Sequence, residues 1–283
     1  MSTWRSDLTN TPGIMLAPNG ARLTTDDHPA IPVTEADTVK AVVEGVEAGA
    51  CAVHLHVRDE HQGHLLDVAR YRSAIAKLKV ELGQDFPIQV TTEAVGIYTQ
   101  PEQIAMMREL KPEFASVALA EIAGSEELLS SAEQFYHWAD QERVGLQHIL
   151  YSPEDLTRFL DLKTRGVIPA EQWSVIFVLG RYTKDQQSDP AVLQEFLTVV
   201  DAAEVRQSMC WMICAFGSEE TNCLTMAAAA GGHNRIGFEN NRQHADGSIA
   251  ANNTERVTAL VTALAEQGRV PCDRSAMRAI LGG

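Results

Sequence analysis

The chain has 283 residues, 45% hydrophobic and 22% charged, with a formal net charge of −15. That composition is ordinary for a soluble globular protein, and the length suits one large domain spanning residues 1–283. The acidic balance excludes a general nucleic-acid binder, which needs a basic face, but a few local arginines could still hold a small anion. No run approaches the roughly 18 apolar residues of a membrane helix. The segment Met1–Pro12 is polar and lacks an apolar signal-peptide core, so a cytoplasmic protein is expected.

Short runs rich in Val and Ile alternate with longer amphipathic stretches. The first strand is predicted at Ile14–Pro18, and a helix follows from near Glu35, where Thr34 and Asp37 have capping-box spacing with Asp in place of Glu or Gln. The second strand is Ala52–Val57, with a helix from near Asp67. The third is Pro87–Thr92, the fourth Phe114–Leu119 and the fifth Leu146–Leu150, with helices from near Pro101, Ser125 and Pro153. Pro101 and Pro153 suit a first helical turn, where a missing N–H costs nothing. The sixth strand, Val175–Gly180, leads to a helix near Asp189, and the seventh, Met209–Ala215, to one near Ser218. The eighth, Arg235–Glu239, precedes a helix near Asn252, and Asp273–Leu281 forms a short closing helix.

Eight strand–helix units in a chain of this length point to an α/β fold, a (β/α)8 TIM barrel, whose typical size is about 250 residues. An open doubly wound sheet is the runner-up. It lacks its glycine-rich dinucleotide loop: Ala17-Pro18-Asn19-Gly20-Ala21 is not G-x-G-x-x-G, and Gly231-Gly232 precedes a strand. The five cysteines (Cys51, Cys210, Cys214, Cys223, Cys272) lack the close-paired spacing of a structural zinc site. Cys210 and Cys214 would be one turn apart on a helix, but all five are read as buried reduced thiols.

His54-Leu55-His56 lies on the second strand, where residues i and i+2 share a face. Val53, Leu55 and Val57 then face the helices, and both histidines face the barrel interior. Two adjacent buried imidazoles need a shared partner. That partner is either a hydrogen-bond network in an ordinary core or a metal ion, and the C-terminal end of a barrel strand is where active sites sit. A third ligand can come from the eighth strand, where Arg235, Gly237 and Glu239 share one side. Strands eight and two both neighbour strand one in a closed barrel. Two imidazoles and a carboxylate suit catalytic zinc, or another divalent transition metal; the competing reading of Glu239 is a salt bridge to Arg235. His61, His64, His137, His148 and His244 read as ordinary surface or core residues. His28 is placed near the mouth, within possible reach of substrate, and His233 at the bottom loop.

The segments Ala-Gly-Ala-Cys-Ala-Val-His-Leu-His-Val-Arg-Asp (48–59), Leu-Lys-Pro-Glu-Phe-Ala-Ser (110–116), Phe-Val-Leu-Gly (177–180) and Gly-Gly-His-Asn-Arg-Ile-Gly-Phe-Glu-Asn-Asn (231–241) resemble the β-keto acid cleavage enzymes. The resemblance runs from Ile14 to Leu281. It implies a zinc barrel, usually a homotetramer, in which a β-keto acid and acetyl-CoA give acetoacetate and a new acyl-CoA. By the same resemblance the zinc ligands fall on His54, His56 and Glu239, the strand-eight arginine on Arg235 and the strand-three hydroxyl on Thr91.

Other positions depart from the founding pattern. The strand-one glutamate that meets a substrate amino group aligns with Arg22, which would attract an anion instead. A threonine after strand four aligns near Glu121, a glutamate after strand five near Ser152 (with Glu154 two residues on), and an aspartate beside the zinc glutamate with Asn240. The expected catalytic residues are therefore Arg235, Thr91 and Asn240, and the expected substrate-binding ones Arg22, Asn19, Glu121 and Ser152. The metal centre is retained and its surroundings rebuilt, so the keto acid is expected to differ from 3-keto-5-aminohexanoate. A CoA-independent metal-dependent aldolase or hydrolase, and a non-catalytic metabolite-binding barrel, are the competing readings.

Overall fold

The computed structural model describes residues 11–283, so most of the polar N-terminal segment lies outside the described residues. Eight parallel strands close into a barrel: β1 (Ile14–Leu16), β2 (Ala52–Leu55), β5 (Ile88–Thr91), β6 (Phe114–Ala118), β7 (Gly145–Leu150), β8 (Ser174–Leu179), β9 (Cys210–Ala215) and β10 (His233–Ile236). β1 sits between β10 and β2, with Met15 in register with both Arg235 and Ala52. A small antiparallel pair, β3 (Val57–Arg58) with β4 (His64–Leu65), follows β2; the sequence reading does not contain it. The helices are α1 (Glu35–Glu47), α2 (Val68–Leu82), α3 (Gln100–Leu110), α4 (Leu119–Ile122), α5 (Leu129–Gln141), α6 (Pro153–Thr164), α7 (Pro190–Ala202), α8 (Glu220–Ala229), α9 (Asn253–Glu266) and α10 (Arg274–Gly282).

Strand parity sorts the core into two shells. Outward side chains such as Ile14, Leu16, Val53, Leu55, Val90, Phe177 and Ile213 pack against the helix layer. Inward ones, among them Met15, Ile176, Met212 and Cys214, fill the barrel, and Met277, Ile280 and Leu281 of α10 join this inner cluster. The closing helix plugs the N-terminal end, so the interior opens only towards the strands' C-terminal ends. Helix starts follow local chemistry. The side chains of Thr34, Asp67, Ser152, Asp189, Asn252 and Asp273 each accept a hydrogen bond from a backbone N–H in the first turn of their helix. Among the described residues, no helix is long and apolar enough to cross a membrane.

One expectation needs correction. The eighth strand ends at Ile236, because Gly237 adopts φ +139 and turns the chain; a Cβ there would sit 2.3 Å from the Ala17 carbonyl oxygen. Cys210 and Cys214 lie on β9, within the predicted seventh strand, and the run Cys210–Ala215 is buried throughout. All five cysteines are buried, and none forms a disulfide.

Candidate metal centre

His54 near the end of β2 and His56 just beyond it turn their imidazoles to one point, Nε2 to Nε2 3.0 Å apart. Glu239 reaches that point from the turn after β10. Its Oε2 lies 3.5 Å from His54 Nε2 and 3.3 Å from His56 Nε2. The Glu239 N–H donates to the Ala17 carbonyl, which ties the turn to the end of β1. Gly20, at φ +60, lets Glu239 pass close by: a Cβ at this position would be 2.5 Å from Glu239 Cγ.

The donor set fits a divalent cation. Gln89 Oε1 lies 2.8 Å from His54 Nδ1, and an amide oxygen can only accept, so the ring carries its proton on Nδ1 and leaves Nε2 as a lone pair. Glu239 Oε2 is buried without a hydrogen-bond donor among the described residues. The three ligand atoms all lie within 4.8 Å of one another, in the only such group of three or more His, Cys, Asp or Glu residues among the described residues. Burial pushes the His54 imidazole down to about 3, so it is neutral, as a ligand must be. Burial alone would raise the Glu239 carboxyl, but Arg235 and the two histidines hold it well below the usual carboxylate range.

Arg235 is almost wholly buried. One Nη2 lies 3.2 Å from Glu239 Oε1 and 3.2 Å from Cys214 Sγ, while its Nε has no partner among the described residues. Both readings of Glu239, ligand and salt-bridge partner, therefore describe different oxygens of one carboxylate. Thr91 ends β5, and its Oγ1 accepts from the Glu93 N–H at 3.0 Å, which leaves the hydroxyl proton free for another acceptor. These residues line a cavity of about 220 Å³, which also receives Asn19, Asn240 and Tyr151. That is room for many waters, or for a small acid. Asn19 and Asn240 each bury an unpartnered Oδ1.

The remaining expected positions fall elsewhere. Ser152 does not line the cavity; it caps α6, accepting from the Asp155 N–H at 3.3 Å, because it precedes Pro153 at the helix start. Tyr151, one residue earlier, occupies the wall. Glu121 sits behind the wall, its carboxylate held by the Ala94 N–H and by Gln103 Nε2 at 2.7 Å; burial raises its pKa. Arg22 does line the mouth, but half-exposed and paired with Glu93 at 3.3 Å, so its charge is already met. His28 packs edge-on against Phe238, and His233 accepts from the Gly13 N–H at the barrel's base. His64 bonds the Glu93 carbonyl at 2.8 Å.

Four contributors escape the sequence reading. Gln89 is visible in principle, two residues before Thr91 and thus on the same face of β5; its Nε2 donates to Gln147 Oε1 at 3.1 Å. Cys214 and Tyr151 have no sequence signal beyond strand parity. Arg58, within the His-x-His segment itself, is buried and donates to the carbonyls of Asn19, Gly20, Leu23 and Gln62, so it braces the β1–α1 loop.

A family model described as beta-keto acid cleavage enzyme matches residues 13–282. The 3-keto-5-aminohexanoate cleavage enzyme of Acetoanaerobium sticklandii is 26% identical over 268 residues, covering 93% of this chain and 95% of the relative. The 3-oxoadipate:acetyl-CoA acetyltransferase of Cupriavidus necator is 23% identical over 263 residues, covering 90% and 89%. The apo structure of ObcA superposes with a TM-score of 0.69 at 14% identity, over 90% of this chain and 66% of ObcA, a likeness of fold. Matched along almost its whole length and distant from each named relative, the chain belongs to the β-keto acid cleavage enzymes, as a diverged member of that acyltransferase-type family.

Proposed function

We propose that this chain exchanges acyl groups between a β-keto acid and acetyl-CoA, giving acetoacetate and a new acyl-CoA, at a zinc ion held by His54, His56 and Glu239. The observation that carries the reading is the convergence of two imidazole nitrogens and one carboxylate oxygen at the closed end of a cavity that also holds Arg235 and Thr91. Zinc bound there would act as a Lewis acid on the keto acid's oxygens. Arg235 clamps the substrate carboxylate through the face not used by Glu239. Thr91, with its hydroxyl oxygen already accepting from Glu93, donates its proton to the carboxylate or to a developing oxyanion. Asn19 and Asn240 line the same cavity and shape the space the substrate enters. In the exchange, C2 of the keto acid gives up a proton and bonds to the acetyl carbonyl carbon with loss of CoA thiolate, and C2 takes a proton back when its bond to C3 later breaks. The thiolate then takes the original acyl group as the C2–C3 bond breaks.

The substrate class follows from the mouth. Glu93 is the nearest counterpart of an ammonium-binding carboxylate, and Arg22 neutralises it at 3.3 Å. An amino-bearing keto acid therefore finds Glu93 already neutralised, and a substrate other than 3-keto-5-aminohexanoate is expected. A homotetramer in the cytoplasm, as the family resemblance implies, is part of this proposal.

The test is turnover of a panel of β-keto acids by zinc-loaded protein with acetyl-CoA, read by mass spectrometry of the CoA esters. Acetoacetate and a matching acyl-CoA are expected, and His54→Ala should lose metal and turnover together. Cleavage without CoA would replace this reading with an aldolase or hydrolase; tight keto acid binding without any cleavage would leave a binding barrel.

A further inference from the structure

Four arginines (Arg22, Arg181, Arg235, Arg242) and three carboxylates (Glu93, Asp185, Glu239) line the cavity, a local positive excess in a chain of net charge −15. Arg22 is paired with Glu93 and Arg235 with Glu239. Arg181 and Arg242 form no ion pair among the described residues, although both stand at the mouth. Each is nonetheless placed. The Arg181 guanidinium lies 5.7 Å from the Phe216 ring centroid, a cation–π distance. Arg242 donates one Nη1 to the Asp27 carbonyl, which leaves Nε and Nη2 for another acceptor.

The same two loops carry exposed apolar side chains. Tyr182, 78% exposed, follows Arg181 and packs against Tyr151 of the cavity wall at 5.1 Å. Ile249, 54% exposed, lines the cavity on the loop that holds Arg242. A ligand that lays phosphates across two unpaired guanidiniums and a flat apolar group on neighbouring side chains would satisfy both features. A small keto acid held at the metal centre has no such tail.

We propose that Arg181 and Arg242 form the phosphate-binding site for the nucleotide end of the CoA thioester, with Tyr182 and Ile249 receiving its apolar base. The inference rests on the acetyl-CoA reading above and adds to it where the phosphates bind. The thioester end then points inward, past Tyr151, to the metal centre.

Acetyl-pantetheine, which lacks the phosphates and the base, separates this site from the reacting centre. Arg181→Gln, Arg242→Gln and the double variant should raise KM for acetyl-CoA about tenfold per arginine, the loss of one charge-assisted hydrogen bond, with kcat little changed. With acetyl-pantetheine, variants and wild type should have the same KM. Calorimetric titration of the zinc-loaded protein with free CoA should show the same loss of affinity, whether or not the enzyme turns over. An equal KM change for both thioesters, or none, would overturn the assignment. A rise confined to KM for the keto acid would assign the arginines to a distal carboxylate instead. CoA binding that depends on the arginines, without acyl exchange, would refute the reaction and keep the site; exchange without arginine dependence would do the reverse.

Discussion

Gln89 Oε1 accepts the Nδ1 proton of His54 at 2.8 Å, and Gln89 is itself oriented by the 3.1 Å hydrogen bond from its Nε2 to Gln147 Oε1. The chain Gln147–Gln89–His54 runs across three barrel strands and decides which imidazole nitrogen faces Glu239. Removing such an outer partner typically costs 10–100-fold in metal affinity. Gln89→Leu should therefore weaken zinc binding by about that factor in a chelator competition, with the barrel still folded by circular dichroism. Unchanged zinc affinity would show that packing alone orients His54.

Arg58 presents one guanidinium to four carbonyls, three of them in the loop that carries Asn19 and Gly20. Lysine keeps the charge but is a point donor and cannot reproduce that fork. Arg58→Lys should lower stability by about 2–4 kcal/mol, a fall in Tm of roughly 5–10 °C for a chain of this size, and weaken zinc binding through the loosened loop. Thermal unfolding with and without zinc checks both effects. A Tm within a degree or two of wild type would mean that water replaces the lost bonds.

The barrel and the histidine pair are legible in the sequence because both depend on local periodicity. A period of two puts His54 and His56 on one face, and the alternation of strand and helix fixes the closure that brings β10 beside β1. Parity also reached Glu239, although by a strand that the structure ends at Ile236; the turn at Gly237 delivers the carboxylate to the place a longer strand would have. Residues whose role is set by loops were not legible. Ser152 and Tyr151 exchange the expected places, since a residue before a helix-starting proline is taken by capping while its neighbour meets the cavity. Arg22 was read without Glu93, a partner 71 positions away that only the folded chain supplies.

His148 lies on the outer face of β7, between Tyr136 and Phe159 at ring distances of 5.2 and 5.0 Å. Burial pushes its imidazole down to about 3. Its folded pKa is thus below the ordinary value of about 6.5, and between these limits the unfolded chain binds a proton that the folded one does not. The contribution to stability is full above pH 6.5 and is lost as the pH falls towards 3. His148→Phe keeps a ring in the aromatic cluster and removes that proton, so acid unfolding should move to lower pH and lose about one proton of steepness. Unfolding followed by circular dichroism from pH 7 to 3 is the measurement. An unchanged acid midpoint would place the proton uptake at other groups, such as His233, which burial pushes down to about 4.

Gly20 joins the backbone of the β1–α1 loop to the metal centre. Its φ of +60 costs an L residue about 1–2 kcal/mol, and its missing Cβ leaves the space that Glu239 Cγ needs. The obstructing atom belongs to a side chain, so Gly20→Ala can fold by pushing Glu239 aside. That movement separates its Oε2 from the two histidine nitrogens, now 3.3 and 3.5 Å away. The variant should thus lose more zinc affinity than stability: a modest fall in Tm without metal, and a much larger loss of the stabilisation that zinc adds. Gly247→Ala is the control, since Gly247 also has a positive φ, +84, with nothing within 4 Å of a Cβ. It should show the backbone cost alone. Equal zinc stabilisation in the two variants would mean that Glu239 is not a ligand, or that it regains its place after the shift; adding Glu239→Gln to Gly20→Ala separates these, because only a ligand loses further zinc affinity in the double variant.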